Sequence, residues 1–376
     1  MTNLFFYGSL RDERLLRIVL GDDEASIELR IAALNDYVVN WAKDRPFPMI
    51  SKFSGSQATG LLALALTKDQ VDRINFYEGG FSYDLGKNTA STDIGDIECE
   101  VYYPQEGLFE RGEPWLLEDW QRDWGELSRI AAVEAMTYFG EITADELAQR
   151  FPRLRARADT RLRAQATIGP TELRSGMAAD QVTKEHVKRS HSGFYALDVI
   201  QLRHQKFDGT TSETLCREVF VNSDATIVLP YDPVSDNILL VEQFRMGPTG
   251  RGDPVPWCLE PVAGMIDPGE DPETTAYRET KEEAGLDLQK LEFVYKGYSS
   301  PGASSEYFFL YVGLCKLPET PNGVTGLEDE GEDIRSHILS FDEAMTHVDS
   351  GEINVLPTIL CLNWLARHRD RLRAGS

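Results

Sequence analysis

Between Gly264 and Leu286 the chain reads GMIDPGEDPETTAYRETKEEAGL, and no other stretch restricts its own structure so closely. Gly264 and Gly269 suit a loop that bends tightly. A helix is expected over 272–284, with Gly285 as its C-terminal cap. On that helix Glu279 and Glu283 are four residues apart and Glu282 is three from Glu279, so all three project from one side. Like charges so placed repel by about a few tenths of a kcal/mol per pair. A purely structural helix gains nothing from that repulsion; a site for hard divalent cations does. Mg2+ prefers carboxylate oxygens, keeps several waters and bridges to phosphates. Arg278 is placed to pair with a glutamate and hold it in position. The alternative for an isolated E-x-x-E-E is a solvated acidic face, and the glycines and arginine around it weigh against that.

A chain of 376 residues exceeds one ordinary core and implies two domains. The net charge of −24 excludes a general nucleic-acid binder, because phosphate backbones need a basic surface. A small phosphorylated ligand stays compatible with it, since local arginines and metal ions can hold one. Five cysteines lie far apart with no C-x-x-C pair, which is neither a disulfide framework nor a zinc site. The first residues lack a signal peptide's pattern, and no run approaches the roughly 20 apolar residues of a membrane span. The expectation is a cytoplasmic protein with no nucleic-acid or membrane partner.

Strand-like segments alternate with turns up to about Tyr103, and the pattern turns helical from Glu113 to Phe151. Thr143 with Glu146 three residues on reads as a helix cap. The basic block Arg150, Arg153, Arg155, Arg157, Arg161 and Arg163 reads as a solvated helix end or linker, with a docking strip as the functional alternative. Gly169-Pro170 marks a break. The expected organisation is a first domain over 1–110, a helical extension with an Arg-rich linker over 111–170, and a second domain over 171–376. Strands are expected at 194–206, 214–221, 225–230, 237–245, 292–298 and 306–315, and further helices at 341–349 and 354–368. The class is α+β.

The window from Gly264 fits G-x5-E-x7-R-E-U-x-E-E-x-G-U, with one departure, Thr280 at an apolar position that should pack rather than react. That pattern is the Nudix box. Over about residues 190–368 the chain resembles bacterial ADP-ribose pyrophosphatases, through CREVF, VEQFR, PWCLEPVAGMI, SPGASSE with Pro301 fifteen residues after Leu286, and GLEDEGEDI. The resemblance implies a Nudix α/β/α sandwich and several site roles. Glu279, Glu282, Glu283 and the Ala263 carbonyl would bind Mg2+, with Mn2+ as an alternative. Arg217 and Arg245 would contact phosphates or the distal ribose, and Phe194 would stack on the adenine. Glu260 and Glu306 would help place the ribose or a metal-bound water. Glu330, with Glu332 as neighbour, stands where the family keeps a catalytic loop glutamate, and Glu283 is counted with the catalytic groups. A homodimer through this domain, exchanging N-terminal strands, is also implied. The implied reaction cuts ADP-ribose to AMP and ribose 5-phosphate. The box handles a pyrophosphate common to the family, so GDP-mannose, another nucleoside-diphosphate sugar or a dinucleotide stays open. A nucleotide-binding sensor is a third reading, which the presence of all three box glutamates weighs against. His204 and His337 read as satisfied structural histidines.

The first half has no histidine before His186, so a Ser-His or Cys-His mechanism there would need the second domain. It does have YGSL (Tyr7, Gly8, Ser9, Leu10) after a strand and Tyr77-Glu78-Gly79 some seventy residues later. Over about residues 1–105 this resembles the γ-glutamylcyclotransferase-like fold, a β-barrel with helices. The resemblance implies that the YGSL loop holds an anionic group and that Glu78 is an acid/base releasing 5-oxoproline. Members often carry Tyr-x-Arg soon after that glutamate; here Tyr83-Asp84-Leu85 lacks the arginine, and Glu78 as an ordinary turn carboxylate is the alternative.

Overall fold

The computed structural model describes residues 1–21, 27–167, 169, 172–320, 323–325 and 333–375. The chain forms two compact units, Met1–Ile168 and Gly169–Ser376.

The first unit runs β1 (Thr2–Phe6), α1 (Glu13–Leu20), β2 (Glu28–Ala42), β3 (Pro48–Leu66), α2 (Lys68–Glu78), β4 (Tyr83–Thr92), β5 (Gly95–Pro104), β6 (Arg111–Pro114), α3 (Leu117–Trp120), α4 (Glu126–Met136) and α5 (Ala144–Ala166). The strand order β3-β1-β5-β4-β2 closes because β2 also pairs with β3, and β6 adds to β2. The result is a closed five-stranded barrel, which leaves no unpaired sheet edge among those strands. Phe5, Tyr7, Leu34, Leu62 and Val101 fill one cluster of this unit. Leu4, Phe6, Leu10 and the helices α1, α2, α4 and α5 build a second one.

The arginine block is not a linker. Alpha5 continues through Pro152 to Ala166 and packs into this unit. Arg157 is buried and its Nη2 donates to Glu134 Oε1 at 2.5 Å, while the Arg155 guanidinium lies over the Trp124 ring. Charge density alone suggested solvent; instead the Arg157 head pairs with Glu134 and the Arg155 head lies flat on an aromatic ring, their stems packing as apolar groups.

The second unit runs β7 (Val182–Ser192), β8 (Ala196–His204), β9 (Leu215–Val221), β10 (Ala225–Asp232), β11 (Asn237–Phe244), α6 (Met246–Arg251), β12 (Trp257–Glu260), β13 (Val262–Met265), α7 (Pro272–Ala284), β14 (Lys290–Tyr298), β15 (Tyr307–Leu314), β16 (Val324–Thr325), β17 (Ile334–Ser340), α8 (Phe341–Ser350) and α9 (Leu356–Ala374). A mixed sheet has the order β14-β15-β10-β11-β17-β16, with β12 on β11 and β13 on β10. Along β10 and β11 the side chains alternate between faces. Val228, Leu239 and Val241 meet α7, while Leu229, Tyr231, Ile238 and Leu240 meet α8 and α9. This is the α/β/α sandwich. Strands β7, β8 and β9 form a separate three-stranded sheet. Strand β7 reads as no strand in the sequence because VTKEHVKRSHS is polar and almost wholly exposed, so no alternation marks it. No helix among the described residues is long and apolar enough to cross a membrane.

Candidate active site

Helix α7 starts where Asp271 accepts from the N–H groups of Glu273 (2.9 Å) and Thr274 (2.8 Å). It ends at Gly285, whose φ of 67° lets its N–H return to the Lys281 carbonyl at 3.0 Å. Between these caps Arg278 gathers three carboxylates. Its Nη1 donates to Glu279 Oε1 (2.8 Å) and Glu282 Oε2 (3.0 Å), and its Nη2 to Glu270 Oε2 (3.0 Å). Burial opposes the charge of this guanidinium, but the carboxylates raise its pKa well above the ordinary arginine value. The like-charge repulsion along the helix is thus offset by one planar cation.

Two further glutamates are fixed by the strands beneath. Glu283 is 3% exposed, and its Oε2 accepts from the Ala263 N–H at 3.2 Å. A strand residue's N–H and C=O point to the same edge, so the Ala263 carbonyl faces the helix as well. A Cβ on Gly264 would stand 1.9 Å from the Glu279 carboxyl carbon, so only glycine lets Glu279 lie here. Thr280, the departure from the box, is fully buried and donates its hydroxyl to the Ala276 carbonyl at 2.7 Å.

Arg245, just past β11, donates from Nε and Nη2 to Glu260 Oε2, both at 2.8 Å. Burial would lower its pKa, but Glu260 and, beyond it, Glu283 and Tyr195 raise it. Burial lifts the Glu306 carboxyl above the usual carboxylate range, against hydrogen bonds from Ser299 and Asn222 (Nδ2 at 2.8 Å) and the charge of Arg245. Arg245, Glu260, Glu283 and Glu306 are therefore drawn into one neighbourhood. Tyr195 lies within electrostatic reach of Arg245, and Phe194 next to it is half-exposed and edge-on to the Tyr195 ring. Arg217 is not drawn in: on β9 it is exposed and donates to the Cys216 carbonyl at 2.9 Å. Glu330 and Glu332 lie outside the described residues. Asn222, Ser299, Tyr195 and Thr325, whose Oγ1 donates to the Glu283 carbonyl at 2.5 Å, join the site without a signal in the sequence, because none belongs to the box. His337 pairs its Nε2 with Glu242 at 2.8 Å, and His204 its Nδ1 with the Gln205 carbonyl at 2.9 Å, as structural histidines do.

The donor set is one for a hard divalent cation: carboxylates of Glu279, Glu282 and Glu283 and a main-chain carbonyl. Among the described residues no three His, Cys, Asp or Glu side chains are grouped closely enough to hold a metal ion as they stand.

In the first unit, Tyr7 closes β1, and Ser9–Arg11 make one tight turn in which the Arg11 N–H returns to the Gly8 carbonyl at 2.9 Å. A Cβ on Gly8 would come within 2.7 Å of the Pro48 ring, so glycine is needed for the close approach. Leu10 is a core side chain, 3% exposed, and leaves only its backbone to a ligand. Glu78 ends α2 within electrostatic reach of Tyr7, Tyr77, Tyr83 and Tyr102. Its carboxylate makes no hydrogen bond or ion pair among the described residues, and burial pushes its pKa up to about 7. The two motifs, seventy residues apart in sequence, thus meet.

A helix-borne carboxylate set tied by one arginine and lying against a glycine of the neighbouring strand is the arrangement of a Nudix-type hydrolase. The family model described as "NUDIX domain" matches residues 222–358, and that of "Gamma-glutamyl cyclotransferase, AIG2-like" matches residues 4–122. The chain is 39% identical over 183 residues to an ADP-ribose pyrophosphatase of Escherichia coli (strain K12), a match covering 49% of this chain and 87% of the relative. It is 29% identical over 174 residues to a GDP-mannose pyrophosphatase of Yersinia enterocolitica, covering 46% of this chain and 86% of the relative. A crystal structure of an ADP compounds hydrolase, 21% identical, aligns over 53% of this chain and all of its own with a TM-score of 0.41. The chain belongs to the Nudix hydrolase family through its second unit and carries an AIG2-like γ-glutamyl cyclotransferase domain in its first.

Proposed function

We propose that the second unit hydrolyses ADP-ribose at its pyrophosphate, giving AMP and ribose 5-phosphate. The observation that carries this is the 39% identity to an ADP-ribose pyrophosphatase across 87% of that protein, with Glu279, Glu282 and Glu283 all present. Mg2+, or Mn2+ in its place, would be held by these three and the Ala263 carbonyl; when bound, it supplies charge neutralisation of the pyrophosphate and a more acidic water. Arg278 holds the carboxylates of Glu279, Glu282 and Glu270 in place. Arg245, steadied by Glu260, meets a phosphate oxygen or the distal ribose, and Glu306 orients the same end. Arg217 serves the same substrate, and Phe194 takes the adenine ring. Glu330 takes the proton from the attacking water, with Glu332 beside it. The exposed aromatics Phe194, Tyr195 and Phe220 around the three-stranded sheet suit exchange with a second copy, which would bring Arg217 to a site, and light scattering of the purified chain reads its mass.

The deciding experiment supplies Mg2+ with ADP-ribose or GDP-mannose and follows nucleoside monophosphate release. AMP at the higher kcat/KM supports the reading; GMP at the higher value replaces it with the GDP-mannose reading, which the Yersinia relative favours. Nucleotide binding with no cleavage of either would make the unit a sensor. For the first unit we propose that Glu78 shuttles the proton as the α-amine of a γ-glutamyl amide attacks the γ-carbonyl and releases 5-oxoproline, with the YGSL backbone holding the substrate's anionic group. A pKa of about 7 supports that role. The test is 5-oxoproline from a panel of γ-glutamyl amides and its loss in Glu78→Gln.

A further inference from the structure

Among the described residues, two buried polar atoms and one oxygen of a less deeply buried carboxylate on one face of the Nudix sheet stand without partners. Gln243 is 6% exposed and its Nε2 makes no hydrogen bond; Ser336 is 4% exposed and its Oγ makes none. Glu260 spends Oε2 on Arg245, and its Oε1 has no partner among the described residues. The strand register gathers these atoms. Val241 stands opposite Glu260 of β12 on one side and Ser336 of β17 on the other, so all three side chains leave the same face. Gln243, two residues along β11, leaves that face too. It is a diagonal neighbour of both Glu260 and Ser336, about 7–8 Å away at the backbone and within reach of a long side chain. Val241 itself is fully buried beneath α7 and forms the floor between them.

Buried donors and acceptors left unpaired cost about 1–3 kcal/mol each, and in folded proteins ordered water commonly satisfies them. A buried water typically makes about three hydrogen bonds. Three unused atoms around one apolar floor match that number. We propose that Gln243 Nε2, Ser336 Oγ and Glu260 Oε1 hold one ordered water above Val241, and that Gln243 and Ser336 are thereby positioning residues for Arg245. The water accepts from Gln243, donates to Glu260 Oε1 and shares a hydrogen with Ser336. Glu260 then has both oxygens fixed and presents the Arg245 guanidinium in one orientation. Neither Gln243 nor Ser336 touches substrate. The proposal rests on the reading of Arg245 as a substrate contact.

The test uses the full chain with Gln243→Met, Ser336→Ala and the double variant. A crystal structure of the wild type is expected to show the water within hydrogen-bond distance of all three atoms, and that of Gln243→Met to lack it and to show Arg245 turned from Glu260. The melting temperature is expected to fall slightly in each single variant, because loss of the water leaves the remaining buried polar atoms unpaired, and to fall no further in the double. KM for ADP-ribose is expected to rise about tenfold in each single variant with kcat little changed, and no further in the double, because the two side chains share one partner. No density in the wild type overturns the proposal, as does a fall in melting temperature and kcat together with KM unchanged. If the wild type cuts no nucleoside-diphosphate sugar, the substrate reading fails by itself; the density and the Arg245 orientation still decide the water.

Discussion

The two units hold their key carboxylates in opposite ways. In the second, Glu279 and Glu282 each lie against Arg278, and Glu283 accepts from the Ala263 N–H. In the first, Glu78 sits among tyrosines with no hydrogen bond or ion pair among the described residues, and burial lifts it to about 7. Paired carboxylates stay charged and suit a cation; a lone one in apolar surroundings changes protonation near neutrality and suits proton transfer. The same side chain thus receives two chemistries from its surroundings alone.

Breaking the charged arrangement has the largest expected effect. Glu283→Gln keeps the volume and can still accept from Ala263, but loses the charge. Its kcat/KM for ADP-ribose with Mg2+ is expected to fall by at least about a hundredfold, the upper end of what outer-sphere changes around a metal cost, while circular dichroism shows the fold intact. Activity near wild type would remove Glu283 from the metal site. Gly264→Ala attacks the same arrangement from the strand. Its methyl group must displace Glu279, so activity should fall clearly and stability by about 1–3 kcal/mol, as overpacking does. Glu279→Ala in the Gly264→Ala background is expected to recover the stability and not the activity; an unrecovered melting temperature would place the strain elsewhere.

The lone carboxylate is sharpened by pH. Glu78 has a folded pKa of about 7 against an ordinary 4.5, so the folded state holds its proton more tightly than the unfolded chain. The folded state is favoured by this group below pH 4.5, and that contribution is lost as pH rises from 4.5 through 7. Glu78→Gln carries no such proton, so it is expected to be more stable than wild type at pH 8, by at most about 3 kcal/mol, with the gap closing towards pH 5. Parallel curves would show that Glu78 has an ordinary pKa and stands among donors after all.

These sites were unequally legible. The box glutamates, Gly264 and Arg278 announce themselves because helical spacing and a close glycine leave a pattern in one window. Helix 272–284 and the strands of the mixed sheet follow from apolar periodicity, as Val228 and Leu229 facing opposite helices illustrate. Strand β7 gave no signal, since it buries almost no apolar surface, and the arginines of α5 gave a misleading one, since Arg157 looks solvated until Glu134 comes to meet it from another helix. Gln243 and Asn222 could be read only from register and contacts across strands, which composition and spacing do not encode.

The smallest effect tests whether everything on α7 matters alike. Thr280 stands where the box has an apolar residue, points away from the carboxylates into the core, and gives its hydroxyl to a carbonyl one turn back. That carbonyl already serves the helix, so the hydroxyl's bond adds little and tends to bend the helix slightly. Thr280→Val removes the hydroxyl and keeps the branching, leaving no new polar atom unpaired. Its stability is expected to change by less than about 1 kcal/mol in either direction, with kcat and KM for ADP-ribose unaltered. A loss of activity at unchanged stability would mean that the curvature of α7, set from its buried side, helps aim Glu279 and Glu283, and the division between a packing face and a chemical face of this helix would have to be given up.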